Sequence, residues 1–132
     1  MNFTALNNYI RENKHRKFCF CKHDCLTFTN EAWECLYGHM WSPDWIGRYQ
    51  AFTRPDALRK EYGFESLEEA IDSKLRRVEG VPPKGALVVT RNAKNWSTGL
   101  AMGISVGASG LFLSETGMVN IPIEDCHMGW VG

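Results

Sequence analysis

The run Gly80-Val81-Pro82-Pro83-Lys84-Gly85 limits the fold more than any other feature, because it breaks all periodicity and separates two unlike halves. Before it, apolar residues recur at helical spacing. After it come four short apolar runs, Ala86 to Thr90, Leu100 to Val106, Gly110 to Leu113 and Met118 to Ile121, bounded by Gly, Ser and Asn. Such runs predict antiparallel strands joined by hairpins. Helices first and strands second is the order of an α+β domain. The 132 residues suit a single domain, 1–132, with neither an internal repeat nor a linker long enough to divide it.

In the first half, Phe3, Leu6, Tyr9 and Ile10 predict an amphipathic helix over residues 3 to 16. Residues 18 to 23, Phe-Cys-Phe-Cys-Lys-His, lack that period and read as a tight connection. Asp24 is a good N-cap, and the helix it opens is expected to run to about Tyr37 and stop at Gly38. Its apolar stripe of Cys25, Phe28, Ala32 and Cys35 or Leu36 leaves Glu31 and Glu34 outside. Ser42-Pro43 predicts a short helical turn, since proline suits the first helical position. Arg54-Pro55-Asp56-Ala57-Leu58 starts another helix, stopped at Gly63. Ser66-Leu67-Glu68-Glu69 is a capping box that predicts a helix over 67 to 77.

Fifteen Lys and Arg balance fifteen Asp and Glu, so there is no long-range basic field to gather nucleic acid or anionic lipid. The cluster Arg11, Lys14, His15, Arg16, Lys17 reads as a solvated helix face. No segment has the apolar length of a membrane span, and Met1 to Asn8 is too polar for an export signal. The chain is therefore expected to be made and folded in the cytosol, with later packaging into an exported particle left open. Five cysteines in such a chain argue against a disulfide framework and read as free thiols.

Among them Cys25 is the best-placed nucleophile, because the unpaired N–H groups and dipole at a helix N-terminus stabilise a thiolate. The plainer alternative is a small buried hydrophobe on the helix stripe. A metal reading rests on Cys19, Cys21 and Cys25 with His23 between them. The gap from Cys21 to Cys25 suits a ligand pair, but no second pair is evident. A four-thiolate iron–sulfur cluster would have to recruit Cys35 or Cys126. No other cofactor is expected. The aromatic segment Trp41, Trp45, Tyr49 and Phe52 admits two readings: a contact surface for a partner, or core covering the Cys25 helix.

His23-Asp24-Cys25-Leu26-Thr27-Phe28, then Pro83-Lys84-Gly85-Ala86-Leu87-Val88-Val89 and Ala101-Met102-Gly103-Ile104-Ser105-Val106-Gly107, resemble the layout of NlpC-type cell-wall cysteine peptidases. In that superfamily an Asp-Cys pair opens the nucleophile helix, a Pro-x-Gly-Asp turn starts the first core strand, and a His-Val-Gly-Ile strand supplies the base. Over nearly its whole length the chain also resembles a small family of uncharacterised proteins from phage and prophage tail-gene clusters. The Trp45-to-Tyr49 segment and the closing Cys126-His127-Met128-Gly129-Trp130-Val131-Gly132 fit that family. The resemblance implies a papain-like fold, with helices packed on a small antiparallel sheet and the nucleophile-type helix starting at Cys25.

The base expected of the superfamily falls on Ala101, which cannot take a proton. Its orienting partner falls near Leu111 to Leu113, where no polar side chain suits, and Ala86 replaces the Asp of the turn. A thiol without a positioned base loses most of its catalytic value. His127 is the only histidine after Cys25 except His39, which reads with His15 and His23 as a surface residue. His127 is thus the substitute base if there is one, although its place is after the last expected strand. The resemblance then implies a catalytically silent structural protein of the virion tail tip, assembled in the host cytoplasm against other tail-tip or hub proteins. Two alternatives stand beside it. One is an active peptidase or amidase cutting peptidoglycan through Cys25, and the other is a Cys-ligated metal or iron–sulfur tail component.

Overall fold

The computed structural model describes residues 1–16, 23–48, 51–52, 55–90, 101–114 and 117–132. Helix α1, Phe3–Asn13, opens at Asn2, whose side chain accepts the Ala5 N–H at 3.0 Å. It ends three residues before the expected 16. Asn13 turns its amide back to the Tyr9 carbonyl at 2.9 Å, and the Lys14 carbonyl is taken by the Met118 N–H at 3.1 Å. A side chain competing for helix carbonyls and a distant strand together stop the helix. Helix α2, Cys25–Tyr37, runs between the expected caps, with Asp24 at its start and Gly38 in the left-handed region at φ 84°. The turn Pro43–Trp45 and helix α3, Pro55–Tyr62, follow as anticipated, with Gly63 at φ 77° closing α3.

The capping box does form, the Ser66 hydroxyl accepting the Glu69 N–H at 3.1 Å, but helix α4 covers only Leu67–Asp72. The expected extension to 77 is incorrect. Ser73 donates its hydroxyl to the Ala70 carbonyl at 2.6 Å, and Arg76–Val78 becomes strand β1. Asp72 holds this corner, accepting two hydrogen bonds from Arg77 and the Trp130 indole N–H at 2.7 Å.

Four strands match the expected runs: β2 Leu87–Thr90, β3 Ala101–Ser105, β4 Ser109–Ser114 and β5 Gly117–Pro122. The turn Ile123–Asp125 and strand β6, Met128–Val131, complete the chain. The described strands form one six-stranded antiparallel sheet in the order β1-β6-β2-β3-β4-β5. β6 was not anticipated. It inserts between β1 and β2, pairing Trp130 with both Arg77 and Leu87. Gly129 leaves room there for Pro82, since a Cβ on it would lie 2.6 Å from the proline ring. Both sheet edges are blunted against further pairing. β1 is short and carries Arg76 and Arg77, while β5 gives its Met118 N–H to Lys14 and ends at Pro122, which has none.

Side chains alternate across the sheet. Leu87, Val89, Met102, Ile104, Leu111, Leu113 and Trp130 join the core that contains Leu26, Phe28, Ala32, Trp33 and Leu36 of α2. Val88, Ala101, Phe112 and Cys126 form a second cluster on the opposite face. The fold is therefore α+β, with helices on an antiparallel sheet.

Trp41, Trp45 and Phe52 of the aromatic segment belong to the interior. Trp41 is 5% exposed and Trp45 3%, with the two indoles edge to face at 5.5 Å. Trp45 also packs on Phe52 at 4.4 Å, and Phe52 on Tyr62 at 4.9 Å. The contact-surface expectation for Trp41 and Trp45 is thus corrected: they are core. Tyr49, the third member, lies outside the described residues, as do Cys19 and Cys21. Among the described residues no helix is long and apolar enough to cross a membrane.

Candidate functional site

The start of α2 is fixed by hydrogen bonds from both sides. Asp24, fully buried and extended, accepts the Thr27 N–H on its carboxylate at 2.9 Å, and its carbonyl accepts the Phe28 N–H at 2.8 Å. Thr29 donates its hydroxyl to the Cys25 carbonyl at 2.7 Å and accepts the Trp41 indole N–H at 3.1 Å. Asn30 donates to the Leu26 carbonyl at 2.9 Å and accepts the Ser42 N–H at 2.7 Å. Burying polar side chains is costly unless they are satisfied in this way. The Trp41–Ser42 strap therefore braces the first turn of the helix. Consecutive Thr29 and Asn30 beside the apolar stripe of the helix were the sequence signal for such bonding.

Cys25 packs against the main core and remains partly exposed as a residue. The backbone N–H groups of Met102 in β3 and of Cys25 and Leu26 at the helix start act on its sulfur electrostatically. These donors favour the thiolate, but they lose. Burial first, and the Asp24 charge second, push the thiol up to about 12. At neutral pH the sulfur is a protonated thiol rather than a nucleophile. The dipole argument that made Cys25 attractive is outweighed because desolvation disfavours the charged form more than three N–H groups stabilise it.

The largest influences on that sulfur are burial, the Asp24 charge and three backbone N–H groups, and none of them is an imidazole. His127 is exposed, between the turn Ile123–Asp125 and β6. Its neighbour Met128 pairs with Val89, and Val89 in turn with Met102, so β2 separates His127 from the strand that Cys25 touches. Two strand spacings amount to roughly 9–10 Å. The structure does not bring His127 and Cys25 together.

Ala101 sits in the cluster on the far face of the sheet, whereas Met102 faces the helices. The paired register of β3 with β4 ends at Gly103 opposite Phe112, one residue short of Met102. Leu111 and Leu113 are apolar members of the main core, so no polar group stands where an orienting residue would.

His23 is not the surface histidine that its loop position suggested. It is 1% exposed, and neither ring nitrogen has a hydrogen-bond partner. Burial first, then the Arg16 charge, lower its pKa, with Asp24 opposing. Nothing in the spacing of the sequence signalled this burial.

Two of the three thiols on which the metal reading rests, Cys19 and Cys21, lie outside the described residues. Among the described residues no group of three or more His, Cys, Asp or Glu side chains is placed to hold a metal ion. Cys126 lies in the cluster across the sheet from Cys25, its thiol 3.7 Å from the Pro122 carbonyl. Cys35 is half-buried near Glu34, Glu31 and Glu12, and burial followed by these charges raises its thiol as well.

No curated protein and no solved structure matches the chain. One family model covers residues 3–131, nearly the whole length, and this chain belongs to the family that it describes, Domain of unknown function (DUF6950).

Proposed function

We propose that this protein is a papain-like, NlpC-like module that has lost its catalytic base and serves as a structural component of a phage tail tip. The observation that carries the silent half of this reading is the Cys25 sulfur, a thiol at a helix start that burial and Asp24 hold in its protonated form, with no imidazole among the largest influences on it. The helix-on-antiparallel-sheet arrangement, with Cys25 opening the helix that packs on β3, supports the papain-like half. The tail-tip placement rests on the resemblance to proteins of tail-gene clusters. It implies assembly in the host cytoplasm and residence in the virion, against other tail-tip or hub proteins. A fold need not carry its activity once the site is gone.

The test is genetic and structural together. In a phage that carries the gene, Cys25→Ser is expected to leave particle assembly and plating unchanged, and deletion of the gene is expected to abolish intact tails. Particles that assemble normally with Cys25→Ser but no longer infect would instead identify a working peptidoglycan-cutting thiol. Absence of the protein from purified virions would remove the tail-tip assignment.

A further inference from the structure

His23 stands immediately before the cap of α2, out of water, with both ring nitrogens unsatisfied. Buried polar groups without partners are uncommon in folded proteins, and each calls for a physical explanation. As a neutral ring, His23 already lacks one donor–acceptor pair. As an imidazolium it would carry two N–H donors with no acceptor. A buried charge in that state is far more costly than a buried neutral ring. Water would satisfy both donors.

We propose that His23 is an acid-sensitive latch on the start of α2, held inside while neutral and driven out to solvent on protonation. The chain geometry couples this motion to the helix. His23 is bonded directly to Asp24, whose carboxylate and carbonyl accept the Thr27 and Phe28 N–H groups. A ring that moves into water drags the Asp24 backbone and loosens the first turn that holds Cys25. The far end of α2 has its own closure, the Gly38 N–H on the Glu34 carbonyl at 2.9 Å, and does not depend on His23.

The charged groups acting on the ring among the described residues are Arg16, beyond α1, and Asp24 itself. Burial is the largest influence and opposes protonation, Arg16 adds to it, and Asp24 works the other way. The sign follows from linkage. The latched ring has a pKa below its ordinary 6.5 and the released ring regains that value. Latching is therefore full above that pH and weakens as pH falls through it towards the latched pKa. One proton taken up on release gives about a tenfold change in the released fraction per pH unit in that window. The inference stands apart from the tail-tip reading, since it concerns opening of the helix start and not catalysis.

Hydrogen exchange between pH 7 and 5 on the full chain tests it, with rates corrected for their intrinsic pH dependence. Protection of the Thr27 and Phe28 amides is expected to fall by up to about tenfold per pH unit, while Gly38 protection holds. In His23→Phe, which cannot protonate and keeps Asp24, protection of Thr27 and Phe28 is expected to be flat with pH. Constant protection in the wild-type chain, or an equal fall in His23→Phe, overturns the latch. If that variant does not fold, the ring resonances of wild-type His23 decide. Titration in step with the lost protection supports the latch, and protonation while Thr27 stays protected overturns it.

Discussion

The state of Cys25 can be read directly with an aromatic disulfide such as dithionitrobenzoate at neutral pH, comparing the folded chain with the same chain in denaturant. The thiol is displaced from its ordinary 9.0 to about 12, a difference of three pH units. The thiolate fraction at neutral pH is then about a thousandfold lower than for an ordinary cysteine. A thiolate of higher pKa is a better nucleophile, and a Brønsted slope of about 0.4–0.5 returns roughly 15- to 30-fold. The net expectation is a folded-state reaction about 30- to 60-fold slower than in the unfolded chain, before steric access slows it further. Peptide mass spectrometry assigns the modified site among the five cysteines. A Cys25 that reacts in the folded chain as fast as in denaturant, or faster, would refute the argument. It would mean that some group stabilises the thiolate more strongly than burial destabilises it.

Three further outcomes follow from the same geometry. Ala101→His, which writes the superfamily's base into its sequence position, is expected to leave the Cys25 rate unchanged because residue 101 lies on the far face of the sheet; an accelerated Cys25 would overturn that register. Asp24→Ala removes a buried cap and leaves the Thr27 N–H unpaired, so urea denaturation should show a loss of about 2 kcal/mol. Trp45→Ala deletes a core indole packed on Trp41, Phe52 and Phe64, and the same measurement should show a loss of about 3–5 kcal/mol. A loss below about 0.5 kcal/mol would return Trp45 to the surface.

Helix α2 shows which features are legible from residues alone. Its cap is a carboxylate three residues from the N–H that it accepts, and its stop is a glycine that tolerates positive φ. Both are local, so the sequence places them correctly to the residue. The strands β2 to β5 were legible for a similar reason, since short apolar runs between turn residues mark them. Helix α4 was misread at its end for the opposite reason. Residues 76 to 78 pair with Gly129, Trp130 and Val131, and nothing within a few residues announces that partner. β6 went unrecognised with it.

The α+β class, the position of Cys25 at a helix start and the absence of a base at residue 101 were thus determined by the sequence itself, through short-range hydrogen bonding and residue chemistry. Tertiary structure alone decided that Trp41 and Trp45 are interior and that His23 is buried without partners. It alone also decided that burial, and then the Asp24 charge, hold Cys25 as a neutral thiol. Desolvation depends on everything that closes over a group, and most of that comes from residues far away along the chain.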